Sequence, residues 1–241
     1  MKNKETEINT LKEWIKESKY TVLLTGAGMS TESGIPDFRS KDGLWKKVDP
    51  MKLASIQTLN NDYDTFYEFY KARSEKLSNI RPHKGYDILA KWERDGFIDS
   101  IITQNVDDFH LIAGNKNVYR LHGSLNEFRC SVCEKSGDKK DFIDKKPCKK
   151  CGENLRPNVV LFGEGLPEDD FSSAIEEVKK AELVIVIGTS LSVFPVSQLP
   201  DLTSGKKVYI NKEIRDADGF DLIIQGSAGE LLDRIDRILY K

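Results

Sequence analysis

Residues 20–40 read YTVLLTGAGMSTESGIPDFRS, an apolar strand that runs into a glycine turn. The apolar part covers 20–24, and Gly26-Ala27-Gly28 follows almost at once. Small residues at such a turn let backbone N–H groups approach a pyrophosphate, and the N-terminus of a following helix attracts the anion. Thr31 stands where a third glycine would complete the usual pattern, so a simple tight turn remains an alternative interpretation.

Short apolar segments alternate with helical patterns along the rest of the chain. Strands are predicted at 99–103, 118–121, 158–161, 182–187, 207–210 and 221–224. Helices are predicted near 8–15, 62–77, 83–94 and 168–181, and a capping box at Ser227–Glu230 opens the last helix. This alternation favours an α/β fold with a doubly wound, parallel, Rossmann-like sheet covered by helices on both faces.

Two further strands also end in small or hydrogen-bonding residues. The segment 182–187 ends in Gly188-Thr189-Ser190, and 207–210 ends in Asn211. Ligands of open α/β sheets bind at the carboxyl ends of the strands. Together with the first turn, these strand ends predict a dinucleotide site.

The composition is that of a soluble globular chain, with 39% hydrophobic residues, 32% charged residues and a net charge of −2 over 241 residues. This slightly negative net charge does not favour binding to DNA or RNA, and no apolar run reaches membrane-spanning length. The N-terminal residues are too charged for a signal peptide. We therefore expect a cytoplasmic protein without nucleic-acid or membrane partners, in which thiols stay reduced.

The four cysteines form two pairs, Cys130-x-x-Cys133 and Cys148-x-x-Cys151. Two such pairs supply four thiolates that can close a tetrahedron around one Zn²⁺, and a closed site leaves no position for a catalytic water. The zinc is therefore predicted to be structural. Redox-active pairs or disulfides are the alternatives, which a Lys-rich segment of a cytoplasmic protein does not favour.

Several motifs together resemble the signature of the sirtuins, the NAD-dependent protein lysine deacylases. They occur in the family's order and cover nearly the whole chain: GAGMSTESGIPDFRS (26–40), TQNVD (103–107), LHGS (121–124), the cysteine pairs, RPNVVLFGE (156–164) and GTSLSVFP (188–195). The resemblance, to a compact bacterial or archaeal type of member, implies that NAD is consumed. The bond from nicotinamide to ribose breaks, and the acyl oxygen of the substrate lysine attacks ribose C1′.

The resemblance also assigns NAD contacts. They fall on Gly26, Ala27, Gly28, Thr31, Asp37, Phe38, Arg39, Gln104, Asn105, Val106, Asp107, Gly188, Thr189, Ser190, Asn211 and Ala228. In this set Phe38 would shield the reacting face from water, Asn105 would hold the ribose and Asp107 the nicotinamide carboxamide. A local salt bridge is the alternative for Asp37 and Arg39.

His122 follows the predicted strand 118–121, which places an imidazole at a strand end beside the predicted site. An unperturbed pKa of about 6.5 suits a base near neutral pH. The resemblance makes His122 the general base, which takes a proton from a ribose hydroxyl, and Asn105 is the second catalytic candidate. His83 is predicted to start a helix and His110 to be structural. One departure from the family pattern is Asp108-Phe109, where we expect Gly-Leu.

The resemblance places the substrate backbone along residues 159–164 as an added strand. It assigns substrate contacts to Val160, Phe162, Gly163 and Glu164. Tyr70 and Arg73 lie one helical turn apart and share a face. In some sirtuins a Tyr-x-x-Arg motif binds the carboxylate of a succinyl or malonyl group. Since Pro36-Asp37 resembles the ordinary deacetylase loop, the preferred acyl group stays open.

The predicted function is an NAD-dependent lysine deacylase acting on acyl-lysine proteins or peptides, with nicotinamide and O-acyl-ADP-ribose as products. Alternatives are an NAD glycohydrolase or ADP-ribosyltransferase, an NAD-sensing binding module, and a zinc-ribbon nucleic-acid binder. Residues 1–35, 94–125 and 157–241 are predicted to form the NAD-binding domain, 36–93 a cofactor loop with a helical insertion, and 126–156 the zinc module. NAD and acyl-lysine would enter the cleft between these parts.

Overall fold

The computed structural model describes residues 2–38, 43, 49–214 and 217–241. Within these ranges the strands are β1 (Thr21–Thr25), β2 (Ser100–Thr103), β3 (Val118–Arg120), β4 (Gly123–Cys130), β5 (Ser136–Gly137), β6 (Leu155–Val159), β7 (Leu183–Ile187), β8 (Lys206–Asn211) and β9 (Leu222–Gln225). Six of them form the main sheet in the order β3-β2-β1-β7-β8-β9, and every neighbouring pair is parallel. The predicted doubly wound parallel sheet is confirmed.

The strand order creates a switch point between β1 and β7. From β1 the chain moves outward to β2 and β3, and it later returns to the centre and builds β7, β8 and β9 on the other side. Both central strands are buried at every position, which explains the apolar run at the centre of β1 and the wholly apolar sequence of β7. In open α/β sheets a ligand crevice forms at such a point, outside the carboxyl ends of the strands.

Helices cover both faces of the main sheet. They are α1 (Lys2–Glu17), α2 (Pro50–Leu53), α3 (Ile56–Asn61), α4 (Tyr63–Ser78), α5 (Lys84–Arg94), α6 (Phe109–Ala113), α7 (Lys139–Ile143), α8 (Glu168–Lys180) and α9 (Ala228–Leu239), with 3₁₀ helices at Ala27–Ser33 and Val196–Leu202. Leu11 of α1 and Leu231 of α9 share a core with Leu23 of β1, while Val178 of α8 shares the other core with Val22. None of the described helices combines the length and apolarity that a bilayer crossing needs.

The second sheet is small and antiparallel, in the order β5-β4-β6. β6 begins at Leu155, so the strand predicted at 158–161 lies too late in the chain. The sequence Arg156-Pro157 does not mark a strand locally. Pairing with β4, which sets Arg129 opposite Arg156 and Ser124 opposite Asn158, makes this segment extended. Here tertiary pairing overrides local preference.

Helix α4 packs against the segment that carries the cysteines. The Tyr63 hydroxyl donates to the Leu155 carbonyl at 2.6 Å, and the Tyr67 hydroxyl donates to the Ile143 carbonyl at 2.7 Å. Tyr67 also contacts Phe142 edge to face. The predicted helical insertion is thus joined to the cysteine segment through two partly buried hydrogen bonds. The predicted domain ranges themselves stay a prediction.

The start of α9 differs from the predicted capping box. The side chain of Ser227 makes no capping hydrogen bond. Instead the Gly229 N–H donates to a carboxylate oxygen of Glu32 at 2.6 Å. A negative group is favourable at a helix N-terminus, and this one is supplied by the turn after β1. The helix therefore opens at Ser227 as predicted, but the capping box is wrong, because a distant carboxylate takes the place of the Ser227 side chain.

Candidate active site

The turns after β1 and β7 meet at the switch point. The Gly28 N–H donates to the Gly188 carbonyl at 2.7 Å, and the Gly26 N–H donates to the Ile187 carbonyl at 3.0 Å. A Cβ on Gly28 would lie 2.8 Å from the Gly188 Cα, and Gly188 itself has a φ of +65°. Both positions require glycine because the two backbones touch.

An open cavity of 290 Å³ lies in front of these turns. Many of the residues predicted to contact NAD line it: Ala27, Gly28, Thr31, Asp37, Phe38, Gln104, Asn105, Gly188, Thr189, Ser190, Asn211 and Ala228. His122 lines it as well. Of the other predicted residues, Gly26, Val106 and Asp107 do not line it, and Arg39 lies outside the described residues. The structure therefore brings the three predicted strand ends and His122 to one crevice.

Sequence reasoning missed several residues of the cavity wall: Glu32, Tyr209, Ile210, Lys212, Glu213, Gly226 and Ser227. Lys212 and Glu213 directly follow Asn211 at the end of β8, so the rule that marked Asn211 could have found them. The residues that precede α9 carry a comparable signal, since helix starts commonly face ligands.

Asn105 is buried at the base of the cavity, and both N–H groups of its amide are used inside the protein. One hydrogen bond goes to the Gly26 carbonyl and one to Ser30 Oγ, each 3.1 Å long. An amide group has two N–H donors and one accepting oxygen. Asn105 therefore offers its oxygen, an acceptor, to whatever occupies the cavity.

Asp107 lies behind Asn105 and is 5% exposed. Its carboxylate accepts from Ser30 Oγ at 2.6 Å and from the Phe109 N–H at 3.0 Å. Burial raises the pKa of Asp107, and the hydrogen bond from Ser30 opposes that rise. Ser30 Oγ also lies 2.7 Å from the hydroxyl of Tyr86, which is fully buried. Neither Ser30 nor Tyr86 was predicted as a site residue.

His122 presents a defined tautomer to the cavity. Its Nδ1 lies 3.0 Å from the Gln104 carbonyl, which can only accept. Nδ1 must therefore carry the proton, and in the neutral ring Nε2 carries the lone pair. The backbone carbonyl of His122 accepts from the Val160 N–H at 3.0 Å, which ties this residue to the predicted substrate segment.

The other two histidines are placed away from the cavity wall. His110 is buried beneath it, with Nε2 at 2.9 Å from Thr25 Oγ1, and burial lowers its pKa to about 3. His83 caps α5, because its Nδ1 accepts from the Gly85 N–H at 3.0 Å. Only His122, of the three, combines access to the cavity with a fixed tautomer.

Asp108 adopts a left-handed backbone with a φ of 61°, a conformation in which glycine is unstrained. Its carboxylate accepts from Arg120 at 3.0 Å, from Asn126 at 2.9 Å and from the Ser124 hydroxyl. Aspartate is among the side chains that tolerate this conformation best. The Asp108-Phe109 departure therefore keeps a glycine-like turn and holds it with side-chain hydrogen bonds.

The predicted substrate segment is only partly available for an added strand. The Phe162 N–H donates to the Ala54 carbonyl at 2.9 Å, and its carbonyl accepts from the Ile56 N–H at 3.0 Å. The Glu164 carboxylate pairs with the buried Arg156 guanidinium at 2.5 and 2.9 Å. Of the four predicted substrate contacts, Gly163 is the one that makes no backbone hydrogen bond to another described residue, and its φ is +93°.

Tyr70 and Arg73 lie on α4 beside the cofactor loop. The Arg73 guanidinium lies 5.1 Å from the centroid of the Phe38 ring and 5.3 Å from that of Phe69. No carboxylate among the described residues pairs with it, and burial lowers its pKa. Tyr70 is 5% exposed, and burial raises its pKa to about 12. The structure therefore places a partly desolvated cation next to Phe38 in the cavity wall.

The four cysteines converge. Their sulfur atoms lie within 4.8 Å of one another, with Cys130 and Cys151 3.4 Å apart and Cys133 and Cys148 3.7 Å apart. A tetrahedral site with Zn–S bonds of about 2.3 Å has edges of roughly 3.8 Å. Backbone N–H groups at 150 and 151 lower the pKa of Cys148, which favours the thiolate that a metal requires. All four thiols are free of disulfides, so the cluster fits Zn²⁺.

Fold and site together define a class of protein: a doubly wound α/β protein with a dinucleotide-type crevice at its switch point and a separate cysteine cluster. The model of the Sir2 family matches residues 26–195. The chain belongs to this family, and the resemblance stated from its motifs is confirmed.

Relatives in bacteria and archaea are similar over most of the chain. An NAD-dependent protein deacetylase of Oceanobacillus iheyensis is 47% identical over 84% of this chain and 88% of its own length. An NAD-dependent protein deacylase of Archaeoglobus fulgidus is 43% identical over 94% of this chain and 96% of its own. These shares indicate that the similarity extends across the sheet, the insertion and the cysteine segment.

Solved structures of related proteins have the same fold. A crystal structure of a Sir2 homologue–NAD complex superposes with a TM-score of 0.89 at 42% identity, covering 96% of this chain and 93% of that one. A Sir2 variant bound to deacetylated p53 peptide and 3′-O-acetyl ADP ribose gives 0.90 at 36% identity, covering 95% and 97%. The combination of parallel sheet, helices and cysteine cluster is therefore that of the family.

Proposed function

We propose that this protein is an NAD-dependent protein lysine deacylase, which moves an acyl group from a lysine side chain to the ADP-ribose part of NAD. The observation that carries the proposal is the meeting of Asn105, His122 and the two glycine turns at one crevice. The names of relatives at 40–47% identity support NAD dependence and deacylation. A cytoplasmic site of action without nucleic-acid or membrane partners belongs to the same proposal and rests on composition.

The cavity wall suggests how NAD would be held. Its pyrophosphate would lie against the turn at Gly28, where small residues let backbone N–H groups approach phosphate oxygens. Asn211 and Ser190, at the ends of neighbouring strands, would contact the rest of the dinucleotide. When bound, NAD supplies a ribose C1′ that becomes electron-poor as nicotinamide departs.

Asn105 and Asp107 would act at the nicotinamide end. Since both N–H groups of Asn105 are used internally, its oxygen would accept from a ribose hydroxyl. Each Asp107 oxygen accepts one hydrogen bond from the protein and has a second lone pair, which suits the N–H groups of a carboxamide. Because Asp107 lies behind the cavity wall, this contact requires the ring to reach the base of the site.

His122 would serve as the general base. Its Nε2 would take a proton from a ribose hydroxyl, so that this oxygen can attack the acylated intermediate. The Gln104 carbonyl, 3.0 Å from Nδ1, fixes the ring and stabilises the charge that the ring acquires. A base of this kind contributes roughly 10²–10⁴-fold to a rate.

The acyl-lysine peptide would pair with the segment that contains Gly163. Phe162 is already paired on both backbone groups with residues 54 and 56, which leaves a shorter edge than the sequence led us to expect. The Glu164 carboxylate is committed to Arg156 and to the Leu161 N–H, so its part would be to shape the turn. Recognition through few main-chain bonds predicts weak sequence preference.

The cysteine cluster would hold one structural Zn²⁺. Its sulfur spacing fits the edges of a tetrahedron, and the four sulfur ligands leave no open position for a substrate. The metal would therefore stabilise the fold and take no part in bond breaking.

A second candidate function, removal of succinyl or malonyl groups, is favoured by Arg73. A partly desolvated guanidinium without a carboxylate partner among the described residues is suited to an anionic acyl group. Tyr70 lies one turn away on the same helix and supplies a hydroxyl beside it. The two activities share the same chemistry and differ only in the acyl end.

The deciding experiment measures nicotinamide release from NAD. Three mixtures are compared: enzyme with NAD alone, with an acetyl-lysine peptide, and with the same peptide carrying unmodified lysine. A deacylase releases nicotinamide only with the acyl peptide and forms O-acyl-ADP-ribose in equal amount. Release without peptide would indicate an NAD glycohydrolase, and NAD binding with no release would indicate a sensing module. Either result would reject the proposal.

A further inference from the structure

We propose that Tyr86 is a positioning residue for the nicotinamide end of the site, acting through Ser30 on Asn105 and Asp107. The inference rests on the proposed function to the extent that these two side chains act on NAD. Tyr86 does not line the cavity and would not touch NAD itself.

The geometry is a closed set of hydrogen bonds around Ser30 Oγ. This oxygen lies 2.6 Å from Asp107 Oδ2, 2.7 Å from the Tyr86 hydroxyl and 3.1 Å from Asn105 Nδ2. The Tyr86 hydroxyl also lies 3.5 Å from Asn105 Nδ2. All four side chains are buried, so solvent does not compete for these bonds.

The direction of each hydrogen bond follows from counting protons. A serine hydroxyl has one hydrogen and two accepting positions. Its hydrogen goes to the Asp107 carboxylate, which has none to give. Asn105 and Tyr86 must then both donate to Ser30, and this fills its two accepting positions. Loss of the Tyr86 donor would leave one of these positions empty, so Ser30 would be held only by its hydrogen bonds to Asp107 and Asn105 and would be freer to rotate.

Rotation of Ser30 would affect both site residues. Asn105 points its oxygen toward the cavity only while its two N–H groups are held by Gly26 and Ser30. Asp107 keeps its orientation through the Ser30 bond and the Phe109 N–H. The phenol therefore determines which atoms the site offers to the ribose and carboxamide.

The ring of Tyr86 is held rigidly, which makes the hydroxyl a fixed donor. It packs edge to face against His110 at 4.7 Å, His83 at 5.2 Å and Phe109 at 5.5 Å between ring centroids. A phenylalanine would fill the same space and keep these contacts. Core packing alone therefore does not require the hydroxyl, whereas the hydrogen-bond set does.

The test compares Tyr86→Phe with Tyr20→Phe. Tyr20 donates its hydroxyl to Glu177 at 2.8 Å just before β1, at the opposite edge of the sheet, so it controls for loss of one phenol hydrogen bond. The measurements are exchange of labelled nicotinamide into NAD in the presence of an acetyl-lysine peptide (kcat and KM), the affinities for nicotinamide and for ADP-ribose, and Tm. ADP-ribose lacks the nicotinamide end and reports on the rest of the site.

Tyr86→Phe is expected to lower kcat for exchange about 10-fold and to weaken nicotinamide binding, since small misplacements of site groups are costly. ADP-ribose affinity should stay within about twofold, and Tyr20→Phe should match the parent in both. A parent-like exchange rate in Tyr86→Phe would overturn the inference. An equal loss of ADP-ribose affinity would also overturn it, because that indicates general disruption.

A double-mutant cycle tests the route through Ser30. If Tyr86 acts through this hydroxyl, adding Tyr86→Phe to Ser30→Ala should lower exchange no further, while independent effects would multiply. Ser30→Ala also serves if Tyr86→Phe folds poorly, and a parent-like rate in it would refute the inference. A parent protein with no exchange activity would instead reject the proposed function, and this role with it.

Discussion

Replacing Arg73 with methionine tests which acyl group the site is built for. If the guanidinium holds an acyl carboxylate, the substitution should lower kcat/KM for a succinyl-lysine peptide and leave the matched acetyl-lysine peptide nearly unchanged. The acetyl group carries no charge, so it loses nothing when the cation is removed. The ratio of the two values, rather than either value alone, is the quantity to measure.

The size of the effect follows from the surroundings of Arg73. Its guanidinium is stacked near the rings of Phe38 and Phe69, and burial lowers its pKa, so the charge is only partly hydrated. A hydrogen bond to a charged group contributes about 1.5–3 kcal/mol, which corresponds to about 10- to 100-fold in relative efficiency. Stability should not fall, because methionine removes a partly desolvated charge that has no carboxylate partner among the described residues.

Arg94→Met is the matched control. Arg94 is an exposed arginine at the end of α5, with a side chain 70% exposed, and its replacement should leave both peptides unaffected. Tm of each variant shows whether folding is intact. If the succinyl-to-acetyl ratio of Arg73→Met equals that of the parent, the carboxylate contact does not exist, and a deacetylase without acid specificity is the better description.

Four further outcomes are expected. His122→Ala should lower deacylation by roughly 10²-fold or more while nicotinamide exchange survives better, since exchange needs no general base; parent-like deacylation would exclude His122 as the base. Gly188→Ala should abolish NAD binding and lower Tm, because its φ is +65° and a Cβ would collide with the Met29 backbone nitrogen; calorimetric titration with NAD checks this. Cys148→Ser should lose the one equivalent of zinc found by elemental analysis of the parent, and a parent without metal would reject the zinc site. The buried His110 has its pKa lowered to about 3, so only the unfolded chain takes up a proton below pH of about 6.5. Its contribution to stability is therefore complete above that pH and is lost as pH falls toward 3; urea unfolding at pH 7.5 and 5.5 should show a smaller pH effect in His110→Gln.

The parallel sheet could be predicted because the apolar sequences of its strands indicate directly that they are buried. Central strands of such a sheet are covered on both faces, so β7 is wholly apolar and β1 is apolar between its two terminal threonines, and both can be recognised without knowing their partners. The strand ends then marked most of the cavity wall. β6 was misplaced for the opposite reason. Its residues are extended only because β4 lies beside them, and Pro157 gives no local sign of a strand.

The parts of the site that sequence reasoning missed depend on contacts between distant residues. Glu32 caps α9 in place of Ser227, although the two residues joined by that bond are 197 positions apart. Tyr86 reaches Ser30 across 56 positions from a helix whose pattern marks only an apolar face. Periodicity assigns such side chains to the core and says nothing about their hydroxyl groups. Only the folded chain shows that this core face is also the back of the site.

Helix α4 gives a physical reason for expecting the cysteine cluster to matter for activity without taking part in the chemistry. Tyr63 and Tyr67 near its start donate to the carbonyls of Leu155 and Ile143, which flank the second cysteine pair in the sequence. Nearly two turns beyond Tyr67, the same helix carries Arg73 against Phe38 in the cavity wall. A helix moves largely as a rigid body, so a displacement at one end reaches the other. If the cluster loses its metal and its segment unfolds, both carbonyl contacts go with it, and the acyl end of the site loses its support. Loss of the metal would therefore impair binding of the acyl substrate before it impairs binding of NAD, because the NAD crevice is built on the main sheet.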